Sequence, residues 1–316
     1  MKKLFAAVNL LLLSYLTPAA SAHEIMGWIP SYNVEKSKTI ITYQAGDIKT
    51  SDWLGRVGLQ FWGPTPTGDV QFVTHEDPIT DELVVYFVSW GKANKIPVYL
   101  TIYNNNGKWD WDLARAAFKN NRHAFVKNLV FTMEKYNLDG IDVDLEGNGD
   151  FDNDRADFKK FIIELSTAVK TKGKKITVNT FHSPCVNAPH MGWWKDWVGY
   201  VDIIQSMGYA DLYEGNDAQF NMGEKVCADG AAIFKYSWQV NYGVHSGFNP
   251  SKILMGVPAW VDNWGSGGKG PSIKNHLAEV AELKSGIAIW DLPGMLDNKW
   301  VSPETFKLLK EFKDKK

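Results

Sequence analysis

Eight short apolar runs recur through this 316-residue chain, at residues 25–29, 57–62, 97–103, 140–145, 176–181, 201–207, 253–258 and 286–290. Most are more apolar than a strand with one wetted face needs to be. They read as strands buried on both sides, as in a parallel sheet. Parallel neighbours need long crossovers, and helix-like segments lie between several of the runs. Residues 80–94 open on Thr-Asp-Glu and carry Leu83, Tyr86, Phe87 and Trp90 at helical spacing. Residues 154–172 present Phe158, Phe161, Ile162 and Leu165 on one face and stop at Gly173, and 302–313 place Pro303 in the first turn. Residues 112–136 spell either one long helix or two. Eight such strands predict an α/β fold, a (β/α)8 TIM barrel in a single domain. The same alternation allows an open doubly wound sheet. No G-x-G-x-x-G follows the first run, so a dinucleotide-binding version loses support. The Gly-rich patch at 265–270 follows the seventh run and reads as a loop rather than a domain boundary.

The fourth run carries the chemistry. Asp142, Asp144 and Glu146 alternate with Ile141, Val143 and Leu145. Side chains two apart on a strand share a face, so the three acids point one way and the three aliphatics the other. In a barrel the acid face is the interior. Carboxyls gathered there, about 6 to 7 Å apart along the strand, raise one another's pKa. Glu146 comes last, at the C-terminal end of the strand, where barrel active sites open. A carboxyl with a raised pKa at that place serves as a general acid near neutral pH. Asp139 has the opposite parity and is assigned a structural role at the strand start. The acid-rich stretch 148–154 that follows resembles a solvated loop. It fits a calcium loop poorly, because Arg155 stands where an EF-hand loop counted from Asp150 needs glycine.

The first residues bear on the compartment. Lys2 and Lys3, an apolar run over 4–16 and the ending Ala20-Ser21-Ala22 have the layout of a secretory signal. The run is too short to span about 30 Å of hydrocarbon. Cleavage after Ala22 is expected, leaving residues 23–316 as the catalytic domain. The protein is then secreted or periplasmic, with no membrane association once the signal is removed. Cys185 and Cys227 form a disulfide candidate in an oxidising compartment, with two free buried thiols as the alternative. Pairing them closes a loop of about 40 residues, worth roughly 4 kcal/mol in the chain-entropy model. The formal net charge of −2 excludes a strongly basic face, and with it binding to nucleic acid through phosphate neutralisation. The cysteines lack metal-ligand spacing and no His neighbours the acid cluster, so neither a metal nor a cofactor is expected.

Three places in the sequence are similar to one known family. The run Asp139-Gly140-Ile141-Asp142-Val143-Asp144-Leu145-Glu146 matches the D-G-x-D-x-D-x-E signature of the family 18 glycoside hydrolases, which comprise chitinases and endo-β-N-acetylglucosaminidases. Gln205-Ser206-Met207-Gly208-Tyr209 resembles the Q-x-M-x-Y pattern on the family's sixth strand, and Trp290 resembles the tryptophan that floors its sugar site. One departure stands out. Many members end the third strand in Ser-x-Gly-Gly, where this chain has Thr101-Ile102-Tyr103-Asn104.

The resemblance implies a retaining glycosidase in which the substrate's own N-acetyl group is the nucleophile. Glu146 would protonate the glycosidic oxygen, Asp144 would orient the acetamide, Asp142 would share a proton with Asp144, and Tyr209 would position the acetamide oxygen. Trp290 is the leading stacking residue. Gln205 and Met207 share the parity of Tyr209 and are expected beside it. Trp28, Trp62 and Trp260 lie at or near strand ends, where an aromatic serves equally as core or as sugar contact. Asn179 is either a satisfied interior amide or a residue reaching the site. The expected partner is a polysaccharide or oligosaccharide containing N-acetylglucosamine, chitin first and N-glycan cores second, and the chain is expected to act as a monomer. A non-catalytic sugar-binding protein on the same scaffold is the alternative from another class, and the presence of Glu146 argues against it.

Overall fold

A computed structural model of the protein describes residues 23–182, 187–208, 236–259, 273–298 and 300–315. The signal segment 1–22, Tyr209, Trp260, Cys185, Cys227 and the patch 265–270 lie outside the described residues.

The eight apolar runs form eight parallel strands: β1 (Ile25–Pro30), β2 (Arg56–Pro64), β3 (Val98–Tyr103), β4 (Gly140–Asp144), β5 (Lys175–Thr180), β6 (Ile203–Ser206), β7 (Ile253–Pro258) and β8 (Gly286–Trp290). Each pairs with the next, and β8 pairs with β1, closing a single-domain (β/α)8 barrel. The open sheet allowed by the alternation is therefore excluded. Closure leaves no bare edge, and it makes two apolar compartments. Ile141, Val143 and Leu145 face outward and join the large core between sheet and helices. Met26, Trp28, Ile203, Leu254 and Ala288 make a second, smaller cluster with Trp290.

The helices follow their sequence patterns. In α1 (Val34–Ile41) buried Val34, Ser37, Ile40 and Ile41 form one stripe. The next long helix, α2 (Asp81–Asn94), begins where the Thr80 hydroxyl accepts the Leu83 N–H at 3.2 Å. The ambiguous stretch 112–136 divides into a short helix (Trp111–Arg115), one wider turn (Ala116–Asn120) and α3 (Arg122–Lys135). In α4 (Arg155–Thr171) Phe158, Phe161, Ile162, Leu165 and Val169 are buried along one face, and Gly173 follows at φ +67°, a left-handed conformation suited to glycine. The C-terminal helix α5 (Pro303–Asp314) is capped by the Ser302 hydroxyl. No helix among the described residues is long and apolar enough to cross a membrane.

Strand β2 departs from simple alternation. Gln60 pairs with Thr101 of β3, yet Trp62 pairs with Ile102, so Phe61 is an extra residue in the ladder. The bulge turns Trp62 to the outer face, where it packs on Phe72 and Tyr136 at ring-centre distances of 5.7 and 5.8 Å. Trp62 is therefore corrected from a candidate sugar contact to a residue of the outer core. Two-residue counting fails at this point because the ladder gains a residue that the sequence does not mark.

Candidate active site

The strand alternation places Asp142 and Asp144 inside the barrel, with 0% and 3% of their surface exposed. A buried carboxyl needs hydrogen-bond partners, and the flanking strands supply them by register. Thr101 and Thr177 are the direct partners of Asp142 on β3 and β5. Their hydroxyls donate to it at 3.0 and 2.6 Å. Trp28 Nε1, Asn179 Nδ2 and Gln205 Nε2 add bonds of 2.9, 3.1 and 3.2 Å. Five donors thus converge on two carboxylate oxygens, filling their acceptor positions.

One rung higher, Asp144 accepts from Gln60 Nε2 at 2.7 Å, with Glu146 beside it at the same cavity. Burial, and then the Asp142 charge, push its pKa up to about 7. Glu146 is half-buried at the cavity wall. Desolvation and the neighbouring Asp144 charge hold its carboxyl well above the ordinary range. The upper pair therefore retains a proton where an exposed carboxyl pair would lose both.

Asp144 and Glu146 open into a cavity of about 310 Å³, walled by Trp28, Trp109, Phe181, Met207 and Trp290, with Asn105 at its edge. Trp28 and Trp290 meet edge to face at 5.8 Å. Aromatic faces beside a proton-holding acid suit a ring that is apolar above and below its plane and polar at its rim. Behind Trp290, Asp291 accepts from the Tyr32 hydroxyl at 2.5 Å. Ser31, buried nearby, bonds the Tyr103 hydroxyl at 2.6 Å and donates to Glu76.

Of the residues singled out by sequence, the structure gathers Asp144, Glu146, Trp28, Met207 and Trp290 around one cavity, with Asp142 and Gln205 beneath it. Trp62 lies elsewhere. Asp139 sits at the opposite end of β4, accepting the Val98 N–H at 2.9 Å. Sequence reasoning passed over Gln60, Thr101 and Thr177. Each is a polar residue inside an apolar strand, a signal for a barrel-facing side chain, but only the register between strands points the two threonines at Asp142. Trp109 and Asn105 come from the loop after β3 and carry no such signal. The acids of the loop after β4 are engaged locally: Asp152 with His190 and Trp193, and Asp154 with Arg115, Lys119 and Trp111. Among the described residues no group of three or more His, Cys, Asp or Glu is placed to hold a metal ion.

Comparison with known proteins gives consistent findings. Residues 92–302 match the family described as Glycosyl hydrolases family 18. No curated protein sequence matches the chain. Among solved structures, a chitinase from Bacteroides thetaiotaomicron superposes with a TM-score of 0.69 at 16% identity, covering 93% of this chain and 97% of that one. A chitinase from Chromobacterium violaceum gives 0.65 at 17% identity, covering 93% and 100%. The spore cortex-lytic enzyme SleL of Bacillus megaterium gives 0.64 at 14%, covering 92% and 73%. At such identities these likenesses establish the fold.

Proposed function

The chain belongs to the family 18 glycosyl hydrolases and is a chitinase-like glycoside hydrolase; from that premise we propose that it cleaves β-1,4 linkages next to N-acetylglucosamine, in chitin or its oligosaccharides, with retention of configuration. The observation that carries this reading is the Asp144–Glu146 pair. It is a carboxyl pair that holds a proton at neutral pH, beside a cavity walled by tryptophan.

The chemistry follows from charge flow. Glu146 donates its proton to the glycosidic oxygen, and the leaving sugar departs as an alcohol. The acetamide oxygen of the retained sugar attacks the anomeric carbon from the other face, forming an oxazolinium ring. Positive charge then develops on the acetamide nitrogen, and Asp144 stabilises it and accepts its N–H. Asp142, held by five donors, raises the proton affinity of Asp144; the proton expected between Asp142 and Asp144 is therefore assigned to the Asp144–Glu146 pair, where it stays until substrate arrives. Trp290 supplies the face on which the sugar stacks. Water opens the ring, with Glu146 now taking the proton. Tyr209, outside the described residues, is assigned the acetamide oxygen on the strength of its sequence pattern.

Residues 1–22 are proposed to direct export and to be removed, so that the enzyme meets its polysaccharide outside the cytoplasm. The decisive test is Glu146→Gln assayed on an aryl N-acetylchitobioside. Turnover is expected to fall by about three orders of magnitude or more while oligosaccharide binding persists. Turnover at the wild-type rate would overturn the assignment. Incubation with chitin oligomers and, separately, with a glycoprotein, read by product mass, distinguishes chitin from N-glycan cores.

A further inference from the structure

The hydrogen-bonded ladder between β3 and β4 ends at the pair Tyr103–Asp144. Glu146 lies two residues beyond it, so strand pairing no longer fixes its backbone. Asn104, 1% exposed, takes over. Its Oδ1 accepts the Glu146 N–H at 2.7 Å, and its Nδ2 donates to the Glu146 carbonyl at 2.8 Å. The second amide hydrogen goes to the Asp110 carbonyl at 2.8 Å. Only one orientation of the amide suits these three partners, because the flipped form would set N–H against N–H and oxygen against oxygen. Meanwhile the Asn104 carbonyl accepts the Asp110 N–H at 3.0 Å, committing its backbone to the following loop. On the other flank Gly147 exchanges two bonds of 2.8 Å with Ala188. The peptide groups around Glu146 are thus tied from both sides.

We infer that Asn104 is a positioning residue for the proton donor: its carboxamide replaces the missing ladder rung and holds the Glu146 carboxyl in the enclosed site against Asp144. Asn104 stands where many members of the family carry the last glycine of Ser-x-Gly-Gly, a residue with no side chain to make these bonds. The inference rests on Glu146 being the donor. Few charges face Glu146. Asp144 comes from its own strand, with Asp142 below it. The walls from β1, β8 and the loops after β3, β5 and β6 contribute Trp28, Trp290, Trp109, Phe181 and Met207 among the described residues, none of them titratable. The nearest other acid on the clamp, Asp110, has its carboxyl engaged by the Leu113 N–H at 3.0 Å.

The test compares wild type, Asn104→Ala and the isosteric Asn104→Asp on an aryl N-acetylchitobioside, with kcat and KM measured across pH alongside the thermal midpoint. In Asn104→Ala both bonds to the Glu146 peptide are lost. The expected result is a kcat lower by about 10- to 100-fold with KM within about threefold. The limb on which activity falls as pH rises should move to lower pH, because a freed carboxyl gains water and holds its proton less tightly. Asn104→Asp keeps the acceptor, loses the donor and adds a negative charge nearby, so its limb should move to higher pH. A residue serving stability alone lowers the thermal midpoint and moves neither limb. Wild-type kcat and limb in Asn104→Ala overturn the inference, as does a loss of activity that tracks only the folded fraction. Should Asn104→Ala fail to fold, an unshifted limb in Asn104→Asp is sufficient to overturn it. Glu146→Gln in the same assay separates the two claims. If it stays active, the donor assignment fails. If it is dead while both Asn104 variants match wild type, only the clamp fails.

Discussion

The Asp144 carboxyl, pushed up to about 7 by burial and by the Asp142 charge, and the Glu146 carboxyl above its ordinary range both bind protons more tightly folded than unfolded. That preference carries a sign. Below the ordinary carboxylate range both states are protonated and the folded state enjoys the full benefit. As pH rises through the raised values, the folded protein must ionise buried groups and stability falls. Glu146→Gln cannot ionise. Its thermal midpoint is expected to drop less than that of wild type between about pH 5 and about pH 8, with the two closest at the acid end. Parallel curves would refute the raised pKa of the pair. The acids themselves were legible because carboxyls that alternate with aliphatics along a strand must all share one face. The donors that surround Asp142 were not, since Thr101 and Thr177 become its neighbours only through the register of three strands.

Elements show where reading by period succeeds and where it stops. Helix α4 was visible in the sequence to within a residue or two at each end, because an apolar stripe and a terminal glycine both marked it. The stretch 112–136 stayed ambiguous because the wider turn at Ala116–Asn120 keeps helical periodicity without continuing the same helix. Trp62 stayed open between core and sugar contact in the sequence, and a single bulge, which reverses every face assignment beyond it, places it in the outer core. Packing between elements also sets hard limits. A Cβ added at Gly140, where β4 begins, would lie 2.5 Å from the Lys175 carbonyl oxygen and 2.7 Å from the Tyr99 ring. Backbone cannot yield cheaply, so Gly140→Ala is expected to cost about 2 kcal/mol or more, read as a lower urea midpoint. A midpoint equal to that of wild type would show that β4 and β5 are not so closely apposed.

On the scale of the whole molecule, chemistry lies at the C-terminal ends of the barrel strands, and the start of the described chain docks at their N-terminal ends. His23, just ahead of β1, has its Nδ1 2.7 Å from the Ser285 carbonyl oxygen and its ring stacked on Phe312 at 4.8 Å. The residue proposed to become the new N-terminus is therefore already part of the fold. Expression in a host with a secretory pathway is expected to yield exported protein beginning at His23, checked by the intact mass. Export with residues 1–22 retained would contradict the cleavage. The sequence by itself determined the strand count and the identity of the acid row, because burial on both faces and two-residue periodicity are local properties that composition and order already contain; that the sheet closes into a barrel was decided by the pairing of β8 with β1. Only the tertiary structure decided which tryptophan faces the cavity, which donors surround Asp142, and that Asn104 grips Glu146. Those depend on the register between strands distant in sequence, and one inserted residue is enough to change them.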